Sequence, residues 1–400
     1  MAVIPIDPPP SRRAAPARTA ILALGFRPFF LLAGVAAVAL VALWMFVWMG
    51  RLPVAGAYYG TVGWHGHEML FGYATAVIAG FLLTAVRNWT GIDTPTGLPL
   101  AALALLWAAG RVVALLPVPG GLIAAVDLAF LPLVAAALYP ALMRGKNRVN
   151  RLFLPLLVAM AVANALVHLQ ALGLTSDTAG RGTLAMLDLI LLLVLVVTGR
   201  VVAFFTERGV AGSTPRNREW LEQMGFAAAI ALALADAAAA PPAIVAALCA
   251  ALAVQTIARE VGWHDRRVWR KPVLWVLHAA VLWLALGFAM RAAATAGLVA
   301  PNVALHALTV GAIGVLTLGM MSRVTLGHTG RDMRAPATVA VGFVLLNLAA
   351  LMRGIAPALW PDRYLSFVHA AAGLWILAFA LFLVAHAAML WRPRVDGQPG

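Results

Sequence analysis

The residues of this chain with the most chemical potential are its histidines, which number nine. Two of them, His65 and His67, stand in the sequence WHGHEM together with Glu68. Neutral imidazole is the commonest metal ligand in proteins and suits iron, copper and zinc, and a nearby carboxylate can orient it. Residues two apart on a helix point ~200° away from each other. We therefore expect His65 and His67 to serve different partners, with Glu68 on the face of His65.

Other candidate groups lie in largely apolar sequence. The further candidate ligands are His168, His278, His306 and His328. The candidate proton carriers are Glu68, Asp127 and Asp188. Ionisable groups inside a membrane are costly and are functional candidates by default. The alternative for each histidine is a structural role, either hydrogen-bonded in a core or placed at a lipid interface.

The chain that must position these groups is strongly apolar, with 63% hydrophobic residues, 11% charged residues and a mean hydropathy of +0.92 over 400 residues. About 20 apolar residues in a helix span a bilayer. Runs of that length fall near 28–49, 66–86, 98–116, 121–143, 152–172, 183–205, 222–240, 243–262, 272–291, 303–322, 336–357 and 364–390. The sequence predicts an all-α membrane protein with one domain of about twelve transmembrane helices over residues 21–394, after a disordered basic arm over residues 1–20.

The positive charges predict the orientation of these helices. If the N-terminus is cytoplasmic, only six of the 29 lysines and arginines fall on the outer side, which satisfies the positive-inside rule. Those six are Arg51, Arg111, Arg181, Arg291, Arg353 and Arg363. We expect a bacterial inner-membrane protein with both termini in the cytoplasm, in contact with lipid headgroups and not with nucleic acid. A single cysteine, Cys249, excludes a disulfide framework and a CxxCH haem attachment.

This orientation assigns a depth to each candidate. Five of the nine histidines fall in the outer layer: His65, His67, His168, His306 and His369. His278 falls about a third of the way up helix 9 from the inside, and His328 falls in a cytoplasmic connection. The convergence of imidazoles near the outer surface predicts a haem or metal site there.

A faint internal repeat has a period of about 120 residues. Gly80, Gly199 and Gly319 are 119 and 120 residues apart, so helices 2, 6 and 10 correspond. His67 matches His306 at an offset of 239. This favours three four-helix units, at about 21–146, 147–266 and 267–394. Chance matching of glycines in a chain rich in glycine and alanine is the alternative.

Several segments together resemble the NnrS family of bacterial membrane proteins, over about residues 21–394. They are GFRPFF (25–30), WHGHEMLFGYATAVIAGFLLTAVRNWTG (64–91), DLAFLP (127–132), NALVHLQALG (164–173), GRVVAFFT (199–206), KPVLWVLH (271–278) and LHALTVGAIGVLTLGMMSRVTLGHTGR (305–331). The resemblance implies haem and copper as cofactors and protection against nitric oxide stress. The family's histidines fall on His65, His67, His168, His278, His306 and His328.

The arrangement of helices 2 and 10 is also similar to that of haem-copper oxidases and related nitric oxide reductases. Those proteins have twelve helices in three arcs of four, with haem-ligating histidines on helices 2 and 10. This chain departs from them because it lacks an adjacent His-His pair and a histidine on helix 6 or 7. A copper centre would have to be built differently, from His65, His168 or His278.

These observations lead to two functional hypotheses. The first is a haem b protein that binds and reduces nitric oxide, with His67 and His306 as axial ligands and electrons from quinol or a partner protein. His65 and His278 are further candidates for cofactor binding, and His65, His168, His278 and His328 for a metal. The second hypothesis is a non-catalytic haem or copper protein that sequesters or moves metal or metal-nitrosyl species. A third hypothesis is a solute carrier without a bound chromophore.

Overall fold

The chain is helical throughout the part that the computed structural model describes, which is residues 19–52 and 58–398. Ten helices are long and apolar enough to cross a membrane; of the other two, α3 has 17 residues and α7 carries two glutamates in its first turn. In chain order, α1 to α12 are Phe26–Trp48, Thr61–Thr90, Gly97–Val113, Gly120–Arg144, Arg148–Ala171, Thr178–Gly209, Glu219–Ala237, Pro242–Trp263, Pro272–Thr295, Pro301–His328, Ala337–Leu359 and Pro361–Trp391.

The prediction of an all-helical, multi-pass membrane protein is confirmed, and no strand occurs in the described residues. The predicted basic arm lies almost entirely outside them.

Proline and glycine set many of the helix ends. Pro242, Pro272 and Pro301 open α8, α9 and α10. Proline suits a first helical turn because its missing N–H would have no partner there in any case. Gly91 ends α2 in the left-handed conformation, at φ 69°, where a side chain would be strained. These ends make the connections short, so that successive helices run in opposite directions.

The helices that the repeat equates form much of the interior. Within an 18-residue apolar stretch of each helix, 89% of the residues of α2, 61% of those of α6 and 72% of those of α10 are buried inside the protein. In α12, at the periphery, the share is 33%. α1 packs on α12 and α2, α5 packs on α6, and α9 packs on α8 and α10. The arrangement as three four-helix units stays a prediction.

Both α2 and α10 contain a π-helical stretch in their first half. The stretches are Glu68–Ala74 and Ala307–Gly314, and they begin directly after His67 and His306. Their first residues are 239 residues apart, which is the offset that relates the two histidines. π-helical turns are rare and occur often at functional sites, because they widen the helix and redirect its side chains. The match between the first and last thirds of the chain thus extends to backbone geometry.

The ends of the helical bundle lie together. The N–H of Ala20 donates to the carbonyl of Trp391 at 2.8 Å, and the Arg27 guanidinium donates to the carbonyls of Leu390 and Arg392. Residues near both ends of the chain are therefore on one side of the bundle. We call this side inner, following the orientation predicted from the charges, and the opposite side outer.

Candidate functional site

Six buried polar side chains meet in the outer half of α2 to α5, and we call them the outer histidine cluster. They are His67 and Glu68 from α2, Arg111 from α3, Asp127 from α4, and Asn164 and His168 from α5. Each is at most 8% exposed. Four neighbouring helices thus each supply a polar group to one point, which a lipid-facing surface would not require.

Arg111 lies between the two carboxylates of the cluster. One terminal nitrogen, Nη1, is 3.2 Å from each oxygen of Glu68, and the other, Nη2, donates to Asp127 Oδ1. Gly72 makes room for this arginine, because a Cβ there would come within 2.7 Å of Arg111 Nη1. The Trp107 indole donates to the carbonyl of Gly72 at 3.0 Å and fixes α3 against the π-helical stretch.

The two imidazoles of the cluster meet at Asp127. His67 Nε2 is 3.3 Å and His168 Nε2 is 3.0 Å from Asp127 Oδ2. One ligand atom from each of His67, Asp127 and His168 lies within 4.8 Å of the others, so the three could hold a metal ion. Asn164 donates from Nδ2 to Asp127 Oδ2 at 2.7 Å, and its Oδ1 lies 3.1 Å from His67 Nε2.

The hydrogen-bond geometry calls for a cation at His67. Its Nδ1 lies 3.2 Å from Glu68 Oε1, so both ring nitrogens face side-chain oxygens. A neutral imidazole has only one N–H, and its other nitrogen would meet an acceptor with a lone pair. With both histidines neutral, two carboxylates face a single arginine, which leaves one negative charge uncompensated in a buried site. A proton or a metal ion at His67 would remove the contact between two lone pairs and would also balance the extra negative charge.

Aromatic rings cover the imidazoles. Tyr59 stacks on His67 with ring centroids 4.1 Å apart, and Phe71 also stacks on His67, with ring centroids 5.0 Å apart. The Tyr58 hydroxyl lies 3.0 Å from His168 Nδ1 and fixes the orientation of that ring. Both tyrosines immediately precede α2, so the segment before this helix shields the cluster.

A second group of histidines lies on the other side of α2. His65 stacks on Trp44 of α1 with ring centroids 4.5 Å apart. His306 of α10 and Arg353 of α11 lie in the same region as His65. The Nδ1–H of His306 donates to the carbonyl of Asn302 at 2.5 Å. We call His65 and His306 the outer histidine pair.

The family comparison agrees with this architecture. The model of one family, described as NnrS protein, matches residues 20–394. The chain belongs to the NnrS family. Comparison with curated protein sequences finds no match. NnrS membership supports a membrane protein of the nitric oxide response, which agrees with the resemblance found in the sequence.

The outer histidine pair has a feature that a haem ligand needs. The backbone bond at Nδ1 sets the tautomer of neutral His306 and leaves Nε2 without a proton, so that it could bind iron. Arg353 donates from Nη2 to the Tyr364 hydroxyl, while its buried Nη1 has no hydrogen-bond partner among the described residues. A guanidinium nitrogen in that position suits a carboxylate such as a haem propionate.

The pairing of histidines differs from the one that the sequence predicted. His67 was expected to face His306, but His67 is enclosed by α4 and α5, and His306 lies with His65. The sequence placed both His67 and His306 near the outer side, as the structure does, but it did not show which neighbouring helices each one faces. Glu68 was expected on the face of His65, and this is wrong: Glu68 lies with His67 and Arg111, because the π-helical stretch begins at Glu68 and redirects it.

The remaining predicted residues lie elsewhere. Asp188 of α6 binds Arg291 of α9 at 2.8 Å, and Arg291 also pairs with Asp236 of α7. His278 lies in the inner half, beside Glu260 of α8. His328 lies at the inner end of α10 against Phe26, with ring centroids 5.5 Å apart. The structure does not bring these three predicted residues to the outer histidine cluster.

Sequence reasoning missed several members of these sites. It treated Arg111 and Arg291 as outer-side charges, although both are buried and paired with carboxylates. Their position inside apolar runs was a usable signal, since an arginine there needs a partner. Asn164 carried no signal beyond its place four residues before His168 on the same helix face.

Proposed function

We propose that this chain binds nitric oxide in the outer half of the membrane and reduces it with electrons from membrane quinol. One observation carries the proposal: α2 presents His65 to the outer histidine pair and His67 to the outer histidine cluster. Two centres of different chemistry, one proposed for haem and one for a metal ion, would therefore lie on opposite faces of α2, with only one residue between the two histidines.

The two centres would divide the work. His65 and His306 would hold a haem b, which would supply one-electron transfer when bound. The outer histidine cluster would then be the place where nitric oxide meets a metal. His67, His168 and Asp127 are the ligands we assign there, and copper or another metal that imidazole suits would fill it.

Protons for the reduction would reach the site through Glu68. Two nitric oxide molecules, two electrons and two protons give nitrous oxide and water, and one quinol supplies both electrons and both protons. Glu68 is in hydrogen-bond reach of His67 and is not one of the assigned ligands, so it can hold a proton beside the metal site. Arg111, which donates to Asp127, would keep Asp127 ionised as a ligand. Asp188 belongs to a different cluster and has no place in this step.

A cavity in the inner half suits the electron donor. It has a volume of about 410 Å³ and lies between α2, α6 and α10. Aromatic side chains including Phe81, Trp89 and Phe205 line it, together with the polar Arg200 and His328. Apolar walls with a few fixed polar groups are typical of cofactor sites, and a quinol ring needs both. Phe204 on its rim is 47% exposed, which would open the cavity to lipid.

The experiment is a comparison of nitric oxide consumption with and without a quinol. We expect the detergent-purified protein to show a haem absorption band and to consume nitric oxide only when a reduced quinol is added. A coloured, metal-containing protein that consumes none would support the non-catalytic alternative, in which the same centres only sequester nitric oxide or metal. A colourless, metal-free protein would overturn both.

A further inference from the structure

A second group of metal-ligand side chains lies at the opposite end of the bundle. Glu260 and His264 stand at the end of α8, and His278 lies in the inner part of α9. One ligand atom from each lies within 4.8 Å of the others. We call these three residues the inner triad. They come from helices that supply nothing to the outer histidine cluster or the outer histidine pair.

His278 lies between Thr206 and Glu260. Its Nε2 is 2.9 Å from the Thr206 hydroxyl, which is also 2.9 Å from the carbonyl of Val202. Its Nδ1 is 2.7 Å from Glu260 Oε1. In the tautomer in which Nε2–H donates to Thr206, Nδ1 presents a lone pair that can bind a metal ion beside Glu260.

Among the described residues, no arginine or lysine forms an ion pair with the Glu260 carboxylate, whose ion-pair partners are His264 and His278. The adjacent Arg259 is engaged elsewhere, with Nε 3.0 Å from Glu222 Oε1 and Nη2 2.9 Å from the carbonyl of Leu195. Glu260 is 5% exposed, and its Oε2 is buried without a hydrogen-bond partner. An ionised, buried and partly unbonded carboxylate is costly unless a cation binds it.

His264 connects the inner triad to solvent. It follows Glu260 by four residues, its Nδ1 lies 3.6 Å from Glu260 Oε1, and its side chain is 38% exposed. His264 also lines a recess of about 790 Å³, with Asp265, Arg266, Arg267 and Arg270. Hydrogen bonds from Arg267 hold the pKa of Asp265 below its usual range, so these two charges offset each other. Arg266 and Arg270 leave the recess positive.

We propose that Glu260, His264 and His278 bind a divalent transition-metal ion, with one coordination position open to the basic recess. Two imidazoles and one carboxylate form a ligand set that zinc takes with a fourth, exchangeable ligand. Thr206 acts as the outer partner that orients His278, as hydrogen-bonded groups do around metal-bound histidines. The arginines would favour an anion at the open position. This proposal is independent of the proposed function.

Cobalt(II) is the probe for this site, because its absorption bands report nitrogen and oxygen ligands directly. The outer histidine cluster is first disabled with His67→Ala and His168→Ala in the full-length protein, so that one site remains. We expect that background to bind one cobalt ion after chelator treatment. Glu260→Gln and His278→Gln should abolish binding, and the exposed His264→Ala should weaken it at least about tenfold. His369→Ala, an exposed histidine at the outer end, is the matched control and should change nothing.

Two outcomes would overturn the proposal. If the background binds no cobalt, the cation between Glu260 and His278 is a proton, and the two form a buried ion pair. If Glu260→Gln and His264→Ala leave the cobalt stoichiometry and affinity unchanged, the ion sits elsewhere. Azide then tests the open position: the cobalt bands should shift on its addition, and unchanged bands would mean a closed site.

Discussion

Two buried arginines organise the outer half of this protein, and their surroundings differ in one respect. Arg111 lies between Glu68 and Asp127, and Arg291 lies between Asp188 and Asp236. Glu68 and Asp188 stand 120 residues apart, which is the period of the predicted repeat. Both clusters thus place one cation between two acids inside the membrane.

The two clusters differ in their candidate metal ligands. His67, His168 and Asn164 surround Arg111 and its acids, and His67, Asp127 and His168 could together hold a metal ion. Within the described residues, Arg291 and its acids have no histidine partner and belong to no group that could hold a metal. We therefore interpret the first cluster as a candidate reaction centre and the second as a structural ion pair.

The largest expected effect is on metal binding. His168→Ala should abolish metal binding at the outer histidine cluster, because it removes one of three ligands, whereas Asp188→Asn should leave it unchanged. Metal content per protein after purification measures both variants, in a background with His278→Gln to silence the inner triad. Equal metal loss in the two variants would remove the distinction between the clusters.

The next effect is on stability. Arg291→Ala leaves Asp188 and Asp236 buried without a counter-charge, which should cost about 3–5 kcal/mol. Arg111→Ala should cost less, since His67 and His168 can take up a proton or a metal ion beside the remaining acids. Thermal unfolding in detergent compares the variants. A greater loss for Arg111→Ala than for Arg291→Ala would show that the imidazoles do not compensate.

A smaller effect is expected at Asn164, which orients both Asp127 and His67. Asn164→Ala should weaken metal affinity about 10–100-fold, the usual effect of removing a hydrogen-bond partner of the ligands. Asn347 of α11, whose Oδ1 accepts from the Trp283 indole at 2.9 Å, supplies the control. Asn347→Ala should keep wild-type affinity in the same titration, and a similar loss there would point to a general packing effect.

The smallest effect concerns the ring stacked on His67. Tyr59→Leu, which keeps a large apolar side chain, should reduce the stability of the protein by about 1 kcal/mol, the typical contribution of aromatic stacking beyond burial. Tyr59→Phe should have almost no effect, because the Tyr59 hydroxyl has no hydrogen-bond partner among the described residues. Unfolding in detergent tests both, and a larger loss in the phenylalanine variant would assign the hydroxyl a role that the stacking does not explain.

The sequence predicted the helices well because hydropathy reports membrane spans directly. It also predicted the outer depth of His65, His67, His168 and His306, which follows from their distance to the helix ends. It could not predict the face of Glu68, because the π-helical stretch that begins there changes the angle between successive side chains. It also could not predict which helices contact His65 and His67, because hydropathy and spacing do not say which helices are neighbours.

The partners of the buried charges were harder to predict. Arg111 and Glu260 pair with side chains on the preceding or following helix, 16 to 43 residues away in the sequence, and a single sequence contains no direct record of such contacts. Glu260 did leave one signal, since His264 follows it by four residues on the same helix face. The spacing of acid and histidine within one helix would have identified that pair.

The central claim is that α2 serves two different centres through two histidines separated by one residue. Its most direct test measures haem and metal content side by side in His65→Ala and His67→Ala, each purified in detergent with membrane insertion checked. We expect His65→Ala to lose haem and to retain metal at the outer histidine cluster. We expect His67→Ala to retain haem and to lose that metal. Loss of the same component in both variants, or of neither, would contradict it.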